Sequence, residues 1–228
     1  MNQPFVKQMI STRQHPFEIV LAQTALLVID MQVDFCDRFG FCSFNLKADV
    51  SMIQTMIPRL QQVLDWARRQ GLWIIYTRES HKPNLSDLSF SKQLRYMNAG
   101  YPVGSRGKQG RFLIQGEAGT EIISELAPQA ADWELDKPAQ SAFVGTLLEQ
   151  QLRDRNITHL LITGVTTECC VLGTYRQAND LGFYSLLLED CCAAFDVAAH
   201  EAAIAVLLAE NGAIGWITTS EQLLQTVQ

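Results

Sequence analysis

A chain of 228 residues, 47% hydrophobic and 18% charged, has the balance of an ordinary globular domain and enough length to bury one core. No apolar run approaches the roughly 20 residues of a membrane-spanning helix. The N-terminus lacks the charged start, apolar block and cleavage site of a signal peptide, so a cytoplasmic location is expected. A formal charge of −6, with 18 scattered Lys and Arg residues, argues against a nucleic-acid partner and favours small neutral or cationic ligands.

In chain order, residues 1–20 read as an N-terminal extension of a single domain spanning 1–228. "TALLVID" (24–30) is the first buried strand, followed by a helix over 52–70 with Ile53, Ile57, Leu60, Leu64 and Ala67 on one face and Gly71 as its stop. "LWIIYT" (72–77) is the second strand. Residues 80–118 are long, polar and rich in Gly and Ser, as expected of a loop that covers a site. "EIISELAP" (121–128) and "TLLEQQLRDRN" (146–156) read as helices bracketing a short strand at "WELDKP" (133–138). "HLLITG" (159–164), "YSLLLED" (184–190) and "AIGWITT" (213–219) complete the strands, with helices near 169–181, 198–210 and 220–227. This alternation predicts an α/β fold, a three-layer α/β/α sandwich around a mostly parallel six-stranded sheet.

Ligands of open parallel sheets bind outside the carboxyl ends of the strands. The residues there that can do chemistry are Asp30, the run Thr77, Arg78 and Glu79, Lys137, the segment Gly164 to Cys170, and the pair Glu189 and Asp190. Cys170 has the strongest local case. Thr166 and Thr167 are good N-cap residues, which puts Cys170 in the first turn of a helix whose positive end favours a thiolate. The unpaired N–H groups of such a turn suit an oxyanion. Read alone, Cys170 is equally a buried helix residue, Asp30 a general base or a strand-end cap, and Lys137 an electrostatic partner or a surface lysine. Cys169 lies about 100° further round a helix, so both thiols are not expected to face one site.

The remaining cysteines, Cys36, Cys42, Cys191 and Cys192, read as small buried hydrophobes, and the six positions give no zinc-type pairing. Of four histidines only His81 lies near a strand's carboxyl end, which makes it a candidate for ligand binding. No glycine-rich phosphate loop follows any strand. Arg176 and Asp180 are either a ligand clamp or a structural helix-face pair. Glu168, Glu210 and Arg78 are further candidates for the pocket. An acid at Glu210 would suit a substrate with N–H donors or a positive charge.

Taken together, "LLVIDMQVDF", "DKPAQSAF" and "LLITGVTTECCVLGTYRQANDLGF" resemble the isochorismatase-like cysteine hydrolases, over about residues 24 to 219. The resemblance implies a catalytic triad of Asp30, Lys137 and Cys170, the cysteine directly before the valine. It also implies a cis peptide at Val165–Thr166 and an oxyanion hole from the Thr166 and Cys170 N–H groups. Gln32, Phe35 and Val165 would line the pocket, Cys169 would be a packed neighbour, and the oligomer would be a homodimer or homotetramer. Presence of the cysteine points away from isochorismate cleavage. The absence of the D-x-H metal motif of nicotinamidases implies no metal, and no cofactor is expected. "TRESHKPNLSDL", "GRFLIQGEAG" and "LLLEDCCAAFD" look most like the biuret hydrolase branch, which cleaves small ureido amides. Other family amidases, acting on ureidoacrylate, N-carbamoyl amino acids or nicotinamide-like substrates, and a non-catalytic binding scaffold are the alternatives.

Overall fold

The computed structural model describes residues 7–225. The first elements are a two-stranded antiparallel hairpin, β1 (Lys7–Ile10) and β2 (Phe17–Val20). Its Ile10 and Ile19 are fully buried and its Phe17 ring packs edge-on against Trp216 and His159. From residue 7 onward the expected extension is therefore a packed part of the domain; residues 1–6 lie outside the described residues.

The central elements follow as β3 (Thr24–Ile29), α1 (Val33–Cys36), α2 (Phe41–Leu46), α3 (Ser51–Arg69) and β4 (Trp73–Glu79). Residues 80–118 carry α4 (Phe90–Asn98) and a small hairpin, β5 (Arg106–Gly107) with β6 (Gly110–Arg111). Then come β7 (Trp133–Lys137), α5 (Leu148–Asp154), β8 (His159–Val165), α6 (Leu172–Asp180), β9 (Tyr184–Ala193), α7 (Val197–Leu208), β10 (Trp216–Thr218) and α8 (Ser220–Gln225). The main sheet has six strands in the order β10-β9-β8-β3-β4-β7, and every neighbouring pair is parallel.

Strand alternation builds two cores, one on each face. Leu26 and Val28 of β3 pack beneath α3 and α8, while Ala25, Leu27 and Ile29 pack beneath α5, α6 and α7. The order reverses beside β3, with β8 on one side and β4 on the other, so a crevice opens at the carboxyl ends of these strands.

One expected helix is absent. "EIISELAP" forms only a 3-10 turn, Ser124–Leu126. Ile122 instead bridges Gln32, the Ile123 N–H donates to the Met31 carbonyl at 3.0 Å, and Ile122, Ile123 and Leu126 enter the core beside α3. Tertiary pairing of this backbone outweighs its helical spacing.

Gly164 sets how closely β8 approaches β3. Its φ is +111°, and a Cβ there would collide with the backbone nitrogen and carbonyl of Ile29, the residue before Asp30. Gly164→Ala is expected to cost about 3 kcal/mol or more, from strained backbone plus a collision that only strand movement relieves, read as a lower denaturant midpoint.

Candidate active site

Asp30 follows β3 in a left-handed conformation, φ 51°, which Asp tolerates better than most residues. Thr77 of β4 holds it there. The Asp30 N–H donates to the Thr77 carbonyl at 3.1 Å, and the Thr77 hydroxyl donates to Asp30 Oδ1 at 2.6 Å. Asp30 Oδ2 faces the Lys137 ammonium at 2.8 Å but accepts no aligned hydrogen bond, which leaves it able to take a proton. Lys137 ends β7 and is fully buried; its Nζ also donates to the Ala139 and Gln140 carbonyls at 2.8 and 2.9 Å. Those bonds satisfy a buried cation that one carboxylate alone would not.

After β8 the Val165–Thr166 peptide bond is cis, and Thr167–Val171 form a π-helical turn that runs into α6. Cys170 is buried within that turn, and its Sγ donates to Glu79 Oε2 at 3.2 Å. Ligand atoms of Asp30, Glu79 and Cys170 lie within 4.8 Å of one another. Donors of this kind can hold a cation, but lysine ammoniums already supply the positive charge: Lys137 beside Asp30 and Glu79, and Lys92 of α4 on Glu79. A metal ion would have to displace them.

The cavity above the sulfur has a volume of about 210 Å³. Phe35, Tyr96, Tyr101, Phe112 and Phe195 supply aromatic walls, with Val165, Thr166, Cys169 and Cys170 along one side. Tyr96, Tyr101 and Phe112 come from the 80–118 segment, which does cover the site. The Thr166 N–H donates to no acceptor among the described residues, leaving it free for a ligand oxygen.

Several expected residues stand elsewhere or act differently. Gln32 does not line the cavity: its amide donates to the Glu79 carbonyl at 3.1 Å and accepts from the Glu79 N–H at 2.8 Å, so it is a brace for the end of β4. Glu210 lies far from the site. Helix α7 runs back along the sheet, so the turn after it, together with Arg176 and Asp180, lies in a shallow groove at the opposite edge. Arg78 points away, to Asp136, Glu134 and Glu121. His81 is buried and accepts from Lys92 Nζ at its Nε2, 2.8 Å, because an ammonium can only donate. Its Nδ1 faces Asp87 at 3.5 Å, so His81 is a support for Lys92 and no ligand contact.

Cys169 does line the cavity beside Cys170, contrary to the helical-wheel expectation; both sit in the Thr167–Val171 π turn. Glu168 also lies on its rim and is exposed. Glu79, one of the strand-end acids without an assigned part, proves central, and Lys92 and Tyr96 were not singled out at all. Their signal was a four-residue spacing on a short helix in the covering segment.

Electrostatics separate the two carboxylates. Burial pushes Asp30 above its ordinary value, opposed by Lys137 and reinforced by Glu79. Burial also pushes Glu79 up, but Lys137 and Lys92 more than offset it and hold Glu79 well below the usual range. Asp30 is thus the better proton acceptor and Glu79 the permanent anion. The Cys170 thiol is pushed up, first by its contact with Cys169 and then by burial, with both carboxylates adding and Lys137 opposing. The helix end expected to favour a thiolate is outweighed, and the resting sulfur is a protonated thiol that needs a base.

A wider, open groove of about 850 Å³ lies between α3 and α7, lined by Arg13, Arg59, Glu189 and His200; Asp30, Lys137 and Cys170 are not among its lining residues.

Comparison with known proteins agrees with this fold. The isochorismatase domain model matches residues 24–222. A ureidoacrylate amidohydrolase RutB of Variovorax paradoxus strain S110 is 28% identical over 227 residues, covering 96% of this chain and 87% of the relative. A cysteine hydrolase from Pseudomonas syringae pv. phaseolicola superposes with a TM-score of 0.77 at 23% identity, covering 99% of this chain and 98% of its own. An isochorismatase family protein from Desulfovibrio vulgaris gives a TM-score of 0.73 at 25% identity, covering 89% and 97%. With the family model spanning nearly all of the sheet and every residue of the Asp30, Lys137 and Cys170 cluster, the chain belongs to the isochorismatase family.

Proposed function

We propose that the chain is a cysteine amidohydrolase that cleaves a C–N bond of a small, uncharged linear ureido amide of the biuret type through a thioester intermediate. The observation that carries this reading is the Cys170 sulfur at the wall of a partly open cavity with the Asp30–Lys137 pair behind it. Asp30 Oδ2 takes the thiol proton as sulfur bonds to the carbonyl carbon, and the carbonyl electron pair moves onto oxygen. The Thr166 and Cys170 N–H groups stabilise that oxyanion. Collapse expels ammonia or an amine, which carries away the proton from Asp30. Water, deprotonated by Asp30, then attacks the thioester and releases the thiol.

The absence of any Lys, Arg or His side chain among the described residues lining the cavity supports an uncharged substrate. A ureidoacrylate carries a carboxylate, whereas the charged side chains among the described lining residues are the acids Glu79 and Glu168. The aromatic walls favour a second reading, a flat aryl carboxamide processed by the same steps.

The test is ammonia release from biuret, triuret, ureidoacrylate, N-carbamoyl amino acids and nicotinamide, beside a Cys170→Ala control. Release from biuret or triuret, lost in the control, supports the reading. Release from nicotinamide alone moves the assignment to aryl amides. Preference for ureidoacrylate overturns the charge argument, and silence throughout leaves a binding scaffold.

A further inference from the structure

The Glu79 carboxylate has four partners, and they come from three separate parts of the chain. Its Oε1 meets Lys92 Nζ at 2.5 Å and accepts from the Tyr96 hydroxyl at 3.0 Å. Its Oε2 accepts from Cys170 Sγ at 3.2 Å and faces Lys137 Nζ at 3.5 Å. Lys92 and Tyr96 stand four residues apart on α4, so one face of this covering helix reaches down to one carboxylate. Lys92 is itself buried and fully engaged, since its Nζ also meets His81 Nε2 at 2.8 Å and donates to the Pro138 carbonyl at 2.9 Å.

The charge count gives this arrangement its consequence. The buried site holds two carboxylates, Asp30 and Glu79, two ammoniums, Lys137 and Lys92, and a neutral thiol. With Lys137 alone, the two carboxylates would share one cation, and like charges that close force one of them to keep a proton. That proton would occupy the base.

We propose that Glu79 and Lys92 form a second ion pair of the catalytic apparatus, in which Glu79 aims the Cys170 sulfur and Lys92 supplies the second cation that lets Glu79 and Asp30 both stay ionised beside Lys137. In this arrangement the covering segment does more than enclose substrate. Its helix completes the charge balance on which the base depends, and Glu79 and Lys92 are positioning residues that act through Cys170 and Asp30. The inference rests on the cysteine-hydrolase reading above for its catalytic meaning, but not for its test.

The charged and titratable groups facing Glu79 are Lys92 and Tyr96 from α4, Lys137 from β7, Cys170 from the π turn and Asp30 after β3, with His81 and Cys42 acting at longer range. Two single replacements change the fixed charge beside the sulfur in opposite senses, and the double replacement restores it. Glu79→Gln keeps an oxygen that can accept from the thiol while removing the anion. Lys92→Gln removes the cation, and Lys92→Met serves as its second version.

The readout is the rate of Cys170 alkylation by iodoacetamide at pH 7 to 9, located by fragment mass spectrometry, on variants with intact thermal melts. Relative to the native protein, Glu79→Gln is expected to react about tenfold faster and Lys92→Gln about tenfold slower, each tenfold step being one unit in the thiol's proton affinity. The double variant is expected to return to within about threefold of the native rate. In the amide assay, Lys92→Gln should lose at least about tenfold in kcat/KM at pH 7 and regain it as pH rises, because the shared proton leaves the carboxylates. The double variant should exceed Lys92→Gln alone.

Both single variants shifting in the same direction, or a double variant further from native than either single, would overturn the pairing. Should the native protein hydrolyse no amide at all, the functional reading fails, while the order of alkylation rates still decides for or against the ion pair.

Discussion

Cys170→Ala is expected to reduce amide hydrolysis by roughly 10⁴-fold to 10⁶-fold, the range seen when a covalent nucleophile is removed. In the proposed mechanism the Cys170 sulfur bonds the substrate carbon, and without it the remaining oxyanion donors leave only residual catalysis. The fold should survive, because Sγ borders the cavity and its removal leaves no buried charge unpaired. Cys170→Ser is expected to be nearly as inactive, since a serine hydroxyl is a far weaker acid than the thiol that Asp30 must deprotonate. Cys169→Ala provides the control. Although Cys169 also borders the cavity, it does not contact Glu79, so activity should fall less than about tenfold. Ammonia release with thermal melts of all three variants is the measurement, and equal losses at both cysteines with normal melts would refute the assignment of Cys170.

Asp30→Asn is expected to lower kcat/KM by about 10²-fold to 10⁴-fold, the usual contribution of a positioned general base. Asn can still accept from Thr77, and Lys137 keeps Glu79 and two carbonyls, so the loss should exceed any change in melting temperature. The pH profile tests the same assignment more sharply. Burial holds the Asp30 carboxyl above its ordinary value, and only the ionised form can take a proton. Activity should therefore be full above that raised pKa and fall as pH drops through it, on an acid limb lying above the reference carboxylate value of about 3.9. In Asp30→Asn that limb should vanish. Glu79, held low, should contribute no limb in this range. An unchanged acid limb in Asp30→Asn would transfer the part of base to another group.

The apolar runs, the alternation of strand and helix and the strand ends were legible in the sequence because each depends on residues close together in the chain. Six strands alternating with helices leave one economical architecture, and in it Asp30, Lys137 and Cys170 emerge on one edge. The covering part played by 80–118 was legible from its length and polarity, although Phe112, Leu113 and Ile114 of this segment build a small core of their own with Phe41 and Cys42.

What a side chain does at that edge was a different matter. Gln32 stood at the right place to line a pocket, yet its amide is engaged by the backbone of Glu79, 47 residues away. Glu210 had suitable chemistry but lies where α7 ends, at the far edge of the sheet. The helix start before Cys170 pointed to a thiolate. Burial, Cys169 and two carboxylates push the thiol the other way.

By itself, then, the sequence determined the fold and the edge that carries the site, because local hydrophobic pattern and strand polarity suffice for those, while the choice of Asp30, Lys137 and Cys170 among the residues of that edge came from the resemblance of their motifs to a family. Only the tertiary structure decided which carboxylate can accept a proton, which one remains an anion and which lysine serves each. Proton affinity depends on charges a few ångströms away in a buried site, and Glu79 reaches Cys170 across 91 positions of sequence that no local pattern links.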